Sequence, residues 1–271
     1  MQATRNILLS ILLIAWPDFK PALQAQEEAV TEEGYEREEL GVNPYTAPSI
    51  AHIFQQLDEL RPLPFDQLKR DLVGAGAVSR EQKGLIFGGL IADGFLIVDA
   101  ERKNLIDELG RVLLKEARSL GVGDRVMRHS ASLTELGRRG EWPAVRKELI
   151  STQADVEKAM VELRDQKMAH LISLGGWLRG LEICAGAVES KFSPQRARVL
   201  VQPELIDYFA EEVKTLPPAV ANAPLFEKIR AGLENIRLAP GKAKQHDLTM
   251  ADVRAIRTKA RELNSAIAHS E

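Results

Sequence analysis

The sequence predicts an all-α protein, a multi-helix bundle built around a long, nearly fully apolar central helix at about residues 153–190. Aromatic residues make up only 5 % of the 271 positions, whereas Ala, Leu, Glu and Arg are plentiful. This composition favours helix over sheet. Apolar side chains also recur at spacings of three and four along most of the chain, and the period-two alternation of strands never extends beyond a few residues.

The central helix is predicted from residues 160–188, which contain no proline and no turn cluster. Between Met168 and Val188 the only charged residues are Arg179 and Glu182, with His170 ionisable. A helix that is apolar nearly all round is buried on most of its sides. Its large apolar side chains repeat along one face: Leu163, Leu171, Leu174, Leu178, Leu181 and Val188.

A second face of this helix carries small side chains, and residues 80–98 carry a matching stripe. Glycine inside a helix costs about 1 kcal/mol relative to alanine, so these positions need a compensating gain. We interpret the two stripes as surfaces through which the helices pack closely, with room for a ligand as the alternative. The stripes consist of Gly84, Gly88 and Ala92 on one helix, and of Ala169, Ser173, Gly176, Gly180, Cys184 and Ala187 on the other.

The helix of residues 80–98 opens with a capping box formed by Ser79 and Gln82. Its apolar run, residues 84–98, is interrupted by Asp93 and is shorter than the roughly 20 residues that a membrane span requires. Asp99 either caps a further helix or lies within a continuous one. We therefore predict a buried helix here and no transmembrane span in the mature chain.

The first 25 residues are predicted to be a signal peptide. Arg5 supplies the positive start, Ile7–Trp16 form an apolar core too short to cross a bilayer, and small residues near Ala25 offer a cleavage site. A buried N-terminal helix is the alternative. Because the start is bacterial in character, we expect export to the periplasm or secretion.

Residues 26–44 hold seven glutamates and one arginine, which predicts an acidic disordered tether.

Residues 45–239 are predicted to form the helical bundle. Caps and breakers divide it into helices, but none interrupts the stretch from Trp142 to about Ser190, where residues 151–155 are the expected place for a kink or restart. The expected boundaries are Ser49, Pro62, Gly74–Gly76, Ser79, Gly121, Gly140, Ser193, Pro203 and Pro217–Pro218.

After the bundle, residues 240–248 are predicted to be a linker and residues 249–269 a C-terminal amphipathic helix. Thr249 and Asp252 have the spacing of a capping box. The apolar face of this helix is thin and its polar face is basic. It either docks on the bundle, which we favour, or binds a partner.

Composition and motifs exclude several kinds of function. The formal net charge of −3 and the lack of a basic face argue against nucleic-acid binding. A single cysteine, Cys184, forms no intrachain disulfide and no CxxC motif. No phosphate-binding loop, nucleophile elbow, zinc-protease motif or calcium-binding loop is present.

His170 lacks the Glu-x-x-His context of a di-metal bundle, so we predict no metal and no cofactor. A single-metal site of His170, His129 and a carboxylate is the alternative.

The candidate site is a buried polar cluster of Asp93, His170, Arg179 and Glu182. An unpaired buried carboxylate costs several kcal/mol or becomes protonated, so Asp93 needs a partner, and His170 and Arg179 are within reach if the glycine stripes meet. Arg179 and Glu182 are three apart and can pair along their own helix. We interpret the cluster as a structural ion-pair network that fixes helix register, with a polar pocket as the alternative.

The sequence identifies no reaction. We expect a non-catalytic interaction or scaffold module of the cell envelope, which binds an envelope protein or a second copy of itself. The alternative is a small-ligand-binding protein or a hydrolase that uses the polar cluster between the two glycine-rich helices.

Overall fold

The computed structural model describes residues 50–72, 79–241 and 247–269. The predicted signal peptide (1–25) and acidic tether (26–44) lie outside the described residues, as does most of the predicted linker.

The described residues form an all-α bundle without a strand, as predicted. Neighbouring helices are joined by short turns, so most helices pack against the next one along the chain. The helices are α1 (Ile50–Glu59), α2 (Phe65–Leu68), α3 (Arg80–Asp99), α4 (Lys103–Ser119), α5 (Gly123–Arg139), α6 (Trp142–Glu162), α7 (Gln166–Ser190), α8 (Pro194–Ala197), a 3-10 turn (Arg198–Leu200), α9 (Pro203–Lys214), α10 (Pro218–Ala221), α11 (Pro224–Gly241) and α12 (Met250–Ala268).

Helix α7 is the centre of the bundle. Between Met168 and Val188 every residue except His170 is buried. The neighbours that cover it include α1, α3, α6, α9 and α12. Among the described helices, only α7 is long and apolar enough to cross a membrane, and its apolar stretch is entirely covered by the bundle.

The central helix begins later than the sequence suggested. The predicted range 153–190 contains the end of α6 and all of α7. The restart expected at residues 151–155 is wrong, because those residues are helical within α6. The break falls at residues 163–165, where Arg164 has a φ of 59°. Asp165 then caps α7 by accepting a hydrogen bond from the backbone N–H of Met168.

Helices α3 and α7 meet backbone to backbone at glycines. A Cβ atom at Gly88 would overlap the carbonyl oxygen of Ile172 and lie 2.7 Å from the backbone nitrogen of Gly176. A Cβ atom at Gly175 would lie 2.6 Å from the carbonyl carbon of Leu85. No side chain fits in either place, so close packing through the small-residue stripe of α3 is confirmed. On α7, the approach involves Gly175, which lies outside the predicted stripe.

The C-terminal helix α12 is docked on the bundle, where it packs against α7 and α11. Its capping box at Thr249 and Asp252 is formed as expected. The described residues of α12 lie in the same compact unit as the rest of the described bundle. Five apolar side chains of α12 are buried: Val253, Ile256, Ala260, Leu263 and Ile267.

Candidate functional site

Three of the four residues expected in the polar cluster lie together between α3 and α7. The side chains of Asp93 and Arg179 are only 4 % and 2 % exposed. The Nε atom of Arg179 donates to Oδ1 of Asp93 at 2.8 Å, and its Nη1 lies 2.8 Å from Oε2 of Glu182. Its Nη2 donates to the carbonyl oxygen of Leu68 at 2.5 Å. The guanidinium therefore joins α3, α7 and the end of α2.

Electrostatics keeps this arginine charged. Burial alone would lower the pKa of Arg179, but the carboxylates of Asp93 and Glu182 outweigh burial and raise that pKa above its usual value. The close crossing of α3 and α7, made at Gly88 and Gly175, brings the groups together. Arg179 thus acts as a permanent counter-ion for two carboxylates.

Three further residues, which the sequence did not identify, complete this ion-pair network. The Nε atom of Arg70 donates to Oδ2 of Asp93 at 2.7 Å. On α12, Nδ2 of Asn264 donates to Oε2 of Glu182 at 2.9 Å, and Nε of Arg261 lies 3.4 Å from its Oε1. The network therefore connects the segment after α2 with α3, α7 and α12.

His170 is not part of this network. It faces α9, where its Nδ1 is hydrogen-bonded to the hydroxyl of Tyr208 and its Nε2 lies 3.7 Å from Oε2 of Glu212. Burial lowers the pKa of His170, and the nearby charge of Glu212 opposes this shift. The cavity beside His170 and Glu212 has a volume of about 10 Å³, too small for a substrate.

A half-buried carboxylate, Glu157 of α6, lies near the same region. Ser173 donates its hydroxyl to Oε1 of Glu157 at 2.8 Å, and Nε2 of Gln153 donates to the same oxygen. Burial raises the pKa of Glu157 to about 7, although both hydrogen bonds lower it. The contact also shows that Ser173, expected in the small-residue stripe, bonds to α6.

His129 is held between two carboxylates. Its Nδ1 lies 2.7 Å from Oε1 of Glu148, and its Nε2 lies 2.9 Å from Oδ2 of Asp155. Each ring nitrogen lies within hydrogen-bonding distance of one carboxylate, so this histidine links α5 to α6. His129 and His170 therefore have different partners, and no group of three His, Cys, Asp or Glu side chains in the described ranges is placed to hold a metal ion.

The remaining residues of the two small-residue stripes lie in the core. Gly84 leaves room for the sulfur of Met168, because a Cβ atom there would contact Leu171 and overlap that sulfur. Burial raises the pKa of the Cys184 thiol to about 12. Ala92 and Gly180 are buried within α3 and α7. These positions serve packing rather than chemistry.

A groove of about 850 Å³ lies beside one end of the ion-pair network. Asp93 and Arg70 contribute to its wall, together with residues of α2 and the start of α4. Arg179, Glu182 and His170 do not line it. The four residues of the predicted cluster therefore do not converge on one open pocket.

Comparison of the chain with protein-family models, with curated proteins and with solved structures found no match. Function has to be inferred from the geometry of this chain alone.

Proposed function

We propose that this chain is an exported, non-catalytic helical-bundle protein that works as an interaction module of the cell envelope. The observation that carries the proposal is the internal pairing of the buried charges at the crossing of α3 and α7. Asp93, Arg179 and Glu182 each bond to other groups of the protein, and of these three only Asp93 reaches the wall of the open groove. Charges held in this way fix how helices pack, but they are not free to activate a nucleophile or to bind a substrate.

An exposed apolar surface supports the interaction role. In the described part of the chain, three of the four exposed large hydrophobic side chains are Met127, Val161 and Leu163, which are 50 %, 41 % and 58 % exposed. All three lie within two residues of the ion pair between Arg125 and Glu162, which joins the start of α5 to the end of α6. We propose that these three side chains form one apolar patch, since such patches are typical of contact sites between proteins.

Export rests on the sequence of residues 1–25, and the buried thiol of Cys184 is compatible with an oxidising compartment. A native mass spectrum of the protein purified from its own host tests both halves of the proposal. We expect the mass of residues 26–271, alone or in a protein complex. A mass that retains residues 1–25 would contradict export, and a stoichiometric metal ion or redox cofactor would contradict the non-catalytic role.

The contact surface is tested by photo-crosslinking in the host. A photoreactive amino acid at Leu163 should give one discrete adduct, either with a single envelope protein or with a second copy of the chain. Leu238 is 57 % exposed but lies on α11, so the same amino acid there serves as the matched control. Equal adducts from both positions, or none from Leu163, would refute the assignment of this surface.

A further inference from the structure

Arg70 holds hydrogen-bond donors that the described protein does not use. Its Nε atom is occupied by Asp93 at 2.7 Å, and its side chain is 30 % exposed. Among the described residues no acceptor lies within hydrogen-bonding distance of its two terminal nitrogens. An arginine presents its donors as a rigid planar fork that matches a carboxylate. Arg70 is therefore an oriented cation whose two terminal nitrogens are available to bind an anion.

The protein builds a fixed position for this guanidinium. Asp93 holds the inner side, and Asp93 is itself held by the buried Arg179. On the side of α3, a Cβ atom at Gly89 would lie 2.9 Å from Nη2 of Arg70, so glycine leaves the room that the guanidinium occupies. A partly buried, pre-positioned arginine loses little side-chain entropy when it binds an anion.

Arg70 lines the groove of about 850 Å³, a volume in the range of small-molecule sites. Apolar side chains of three elements form part of the same wall, including Phe65, Leu96, Ile97 and Leu105. Arg70 also borders a smaller adjoining cavity of about 240 Å³ between α3 and α12. A ligand anchored at Arg70 can thus place an apolar group against the groove wall.

The other charges of the groove limit how much negative charge a ligand can carry. Lys69 and Arg102 lie 3.1 Å and 3.8 Å from Asp66, so these two cations already have a carboxylate partner. Asp71 and Glu108 line the same groove as further acidic groups. One anionic group can pair with Arg70, whereas a second would be repelled by these carboxylates.

We propose that this groove binds an amphiphilic monoanion, a single carboxylate on an apolar chain or ring, with Arg70 as the anchor of the carboxylate. The site is separate from the exposed apolar surface at Met127, Val161 and Leu163, so the two proposals stand or fall independently.

The test is calorimetric titration of the full mature chain with octanoate. Octyltrimethylammonium has the same chain with the opposite charge, 1-octanol has no charge, and citrate has several negative charges without an apolar part. We expect measurable binding for octanoate alone. No heat up to millimolar octanoate, or equal binding of octyltrimethylammonium or citrate, would overturn the proposal.

Variants separate anchoring from folding. Arg70→Gln should weaken octanoate binding at least about tenfold, as expected for a charge-assisted hydrogen bond. Gly89→Ala keeps every charge but displaces the terminal nitrogen of Arg70, so it should also weaken binding. Arg198→Gln removes a surface arginine that is 70 % exposed and should leave binding unchanged. Circular dichroism verifies folding, and unchanged affinity in both folded Arg70→Gln and Gly89→Ala would refute Arg70 as the anchor.

Discussion

Glu157 makes the stability of this protein depend on pH. Burial raises its pKa from 4.5 to about 7, against two hydrogen bonds that lower it. The folded state therefore keeps a proton on Glu157 at pH values where the unfolded chain has lost it. Between these two pKa values the folded state binds more protons than the unfolded state. The stability that this group contributes is therefore fully present below about pH 4.5 and is lost as the pH rises through about 7.

We expect Glu157→Gln to reduce the loss of unfolding free energy with rising pH, because glutamine has the shape of glutamate and does not ionise. One pKa unit corresponds to about 1.4 kcal/mol, so a rise from 4.5 to about 7 predicts a wild-type loss on the order of 3–4 kcal/mol. Urea unfolding at a series of pH values measures it. Glu211→Gln, at a surface glutamate that is 70 % exposed, is the control and should keep the wild-type slope. A Glu157→Gln profile parallel to wild type would show that Glu157 is ionised in the folded protein.

Cys184 should be unreactive toward thiol reagents in the folded protein. Burial raises its pKa to about 12, so the reactive thiolate is scarce, and the side chain is only 2 % exposed. We expect a thiol reagent such as iodoacetamide to leave it unmodified at about pH 8 and to modify it fully in denaturant. In Ser265→Cys, where the serine is exposed on α12, the added thiol should react at once. Equal labelling of both thiols under native conditions would mean that α7 is accessible.

At the scale of the helices, the crossing of α3 and α7 should tolerate no side chain at Gly88. A Cβ atom there overlaps the carbonyl oxygen of Ile172, so the helices must separate along their length. We expect Gly88→Ala to lower the free energy of unfolding by about 3 kcal/mol or more, at or above the upper end of typical overpacking costs. Chemical denaturation measures the change.

Gly89→Ala is the matched control for this crossing. Both substitutions add the same methyl group to the same helix and gain the same intrinsic helix propensity, about 1 kcal/mol. At position 89 the nearest atom is the flexible end of Arg70 rather than backbone, so the cost is smaller. Equal destabilisation by the two variants would mean that the close approach at Gly88 is not present in solution.

The sequence predicted where most helices begin and end better than it predicted which face of each helix contacts which neighbour. Breakers and caps such as Gly140 and Thr249 act within one turn of the chain, so they are visible in the sequence. The break between α6 and α7 was missed because it depends on a left-handed Arg164, for which no glycine or proline gives a signal. Gly175 was missed as a contact of α3 because small residues are so frequent along α7 that more than one stripe at helical spacing fits the sequence.

The candidate site was predicted only in part, for a related reason. Asp93, Arg179 and Glu182 stood out as charges inside apolar helices, where the cost of burial demands a partner. Arg70 and Asn264 lie 23 and 82 residues from the carboxylates they bond, in segments where polar residues are unremarkable. His170 was assigned to the wrong neighbours, since its partner Tyr208 is on α9 and nothing in the sequence places α9 against it.

For the whole molecule, the ion-pair network links parts of the chain that are far apart in sequence. Its bonds run from the carbonyl oxygen of Leu68 through Arg179 to Asp93 on α3, and through Glu182 to Asn264 on α12. Each bond has a defined geometry in a region otherwise filled by apolar side chains. We therefore expect the network to select one alignment of the helices that apolar packing alone would specify less sharply.

A double-mutant cycle on Asp93 and Arg179 tests this role. Arg179→Met leaves Asp93 and Glu182 without their shared cation and should cost about 3–5 kcal/mol, the usual range for breaking a buried pair. Adding Asp93→Leu removes one stranded charge, so the double variant should be more stable than the sum of the single changes, by roughly 1.5–3 kcal/mol. Urea unfolding measures all four proteins.

The surface pair of Asp58 and Arg146, with side chains 43 % and 23 % exposed, gives the matched cycle. Water already solvates those charges, so their coupling should stay below about 1 kcal/mol. If the coupling between Asp93 and Arg179 were as small as that of the surface pair, water would have to reach the interior of the bundle. The crossing of α3 and α7 would then be looser than its glycine contacts require, and the network would not hold the helices in register.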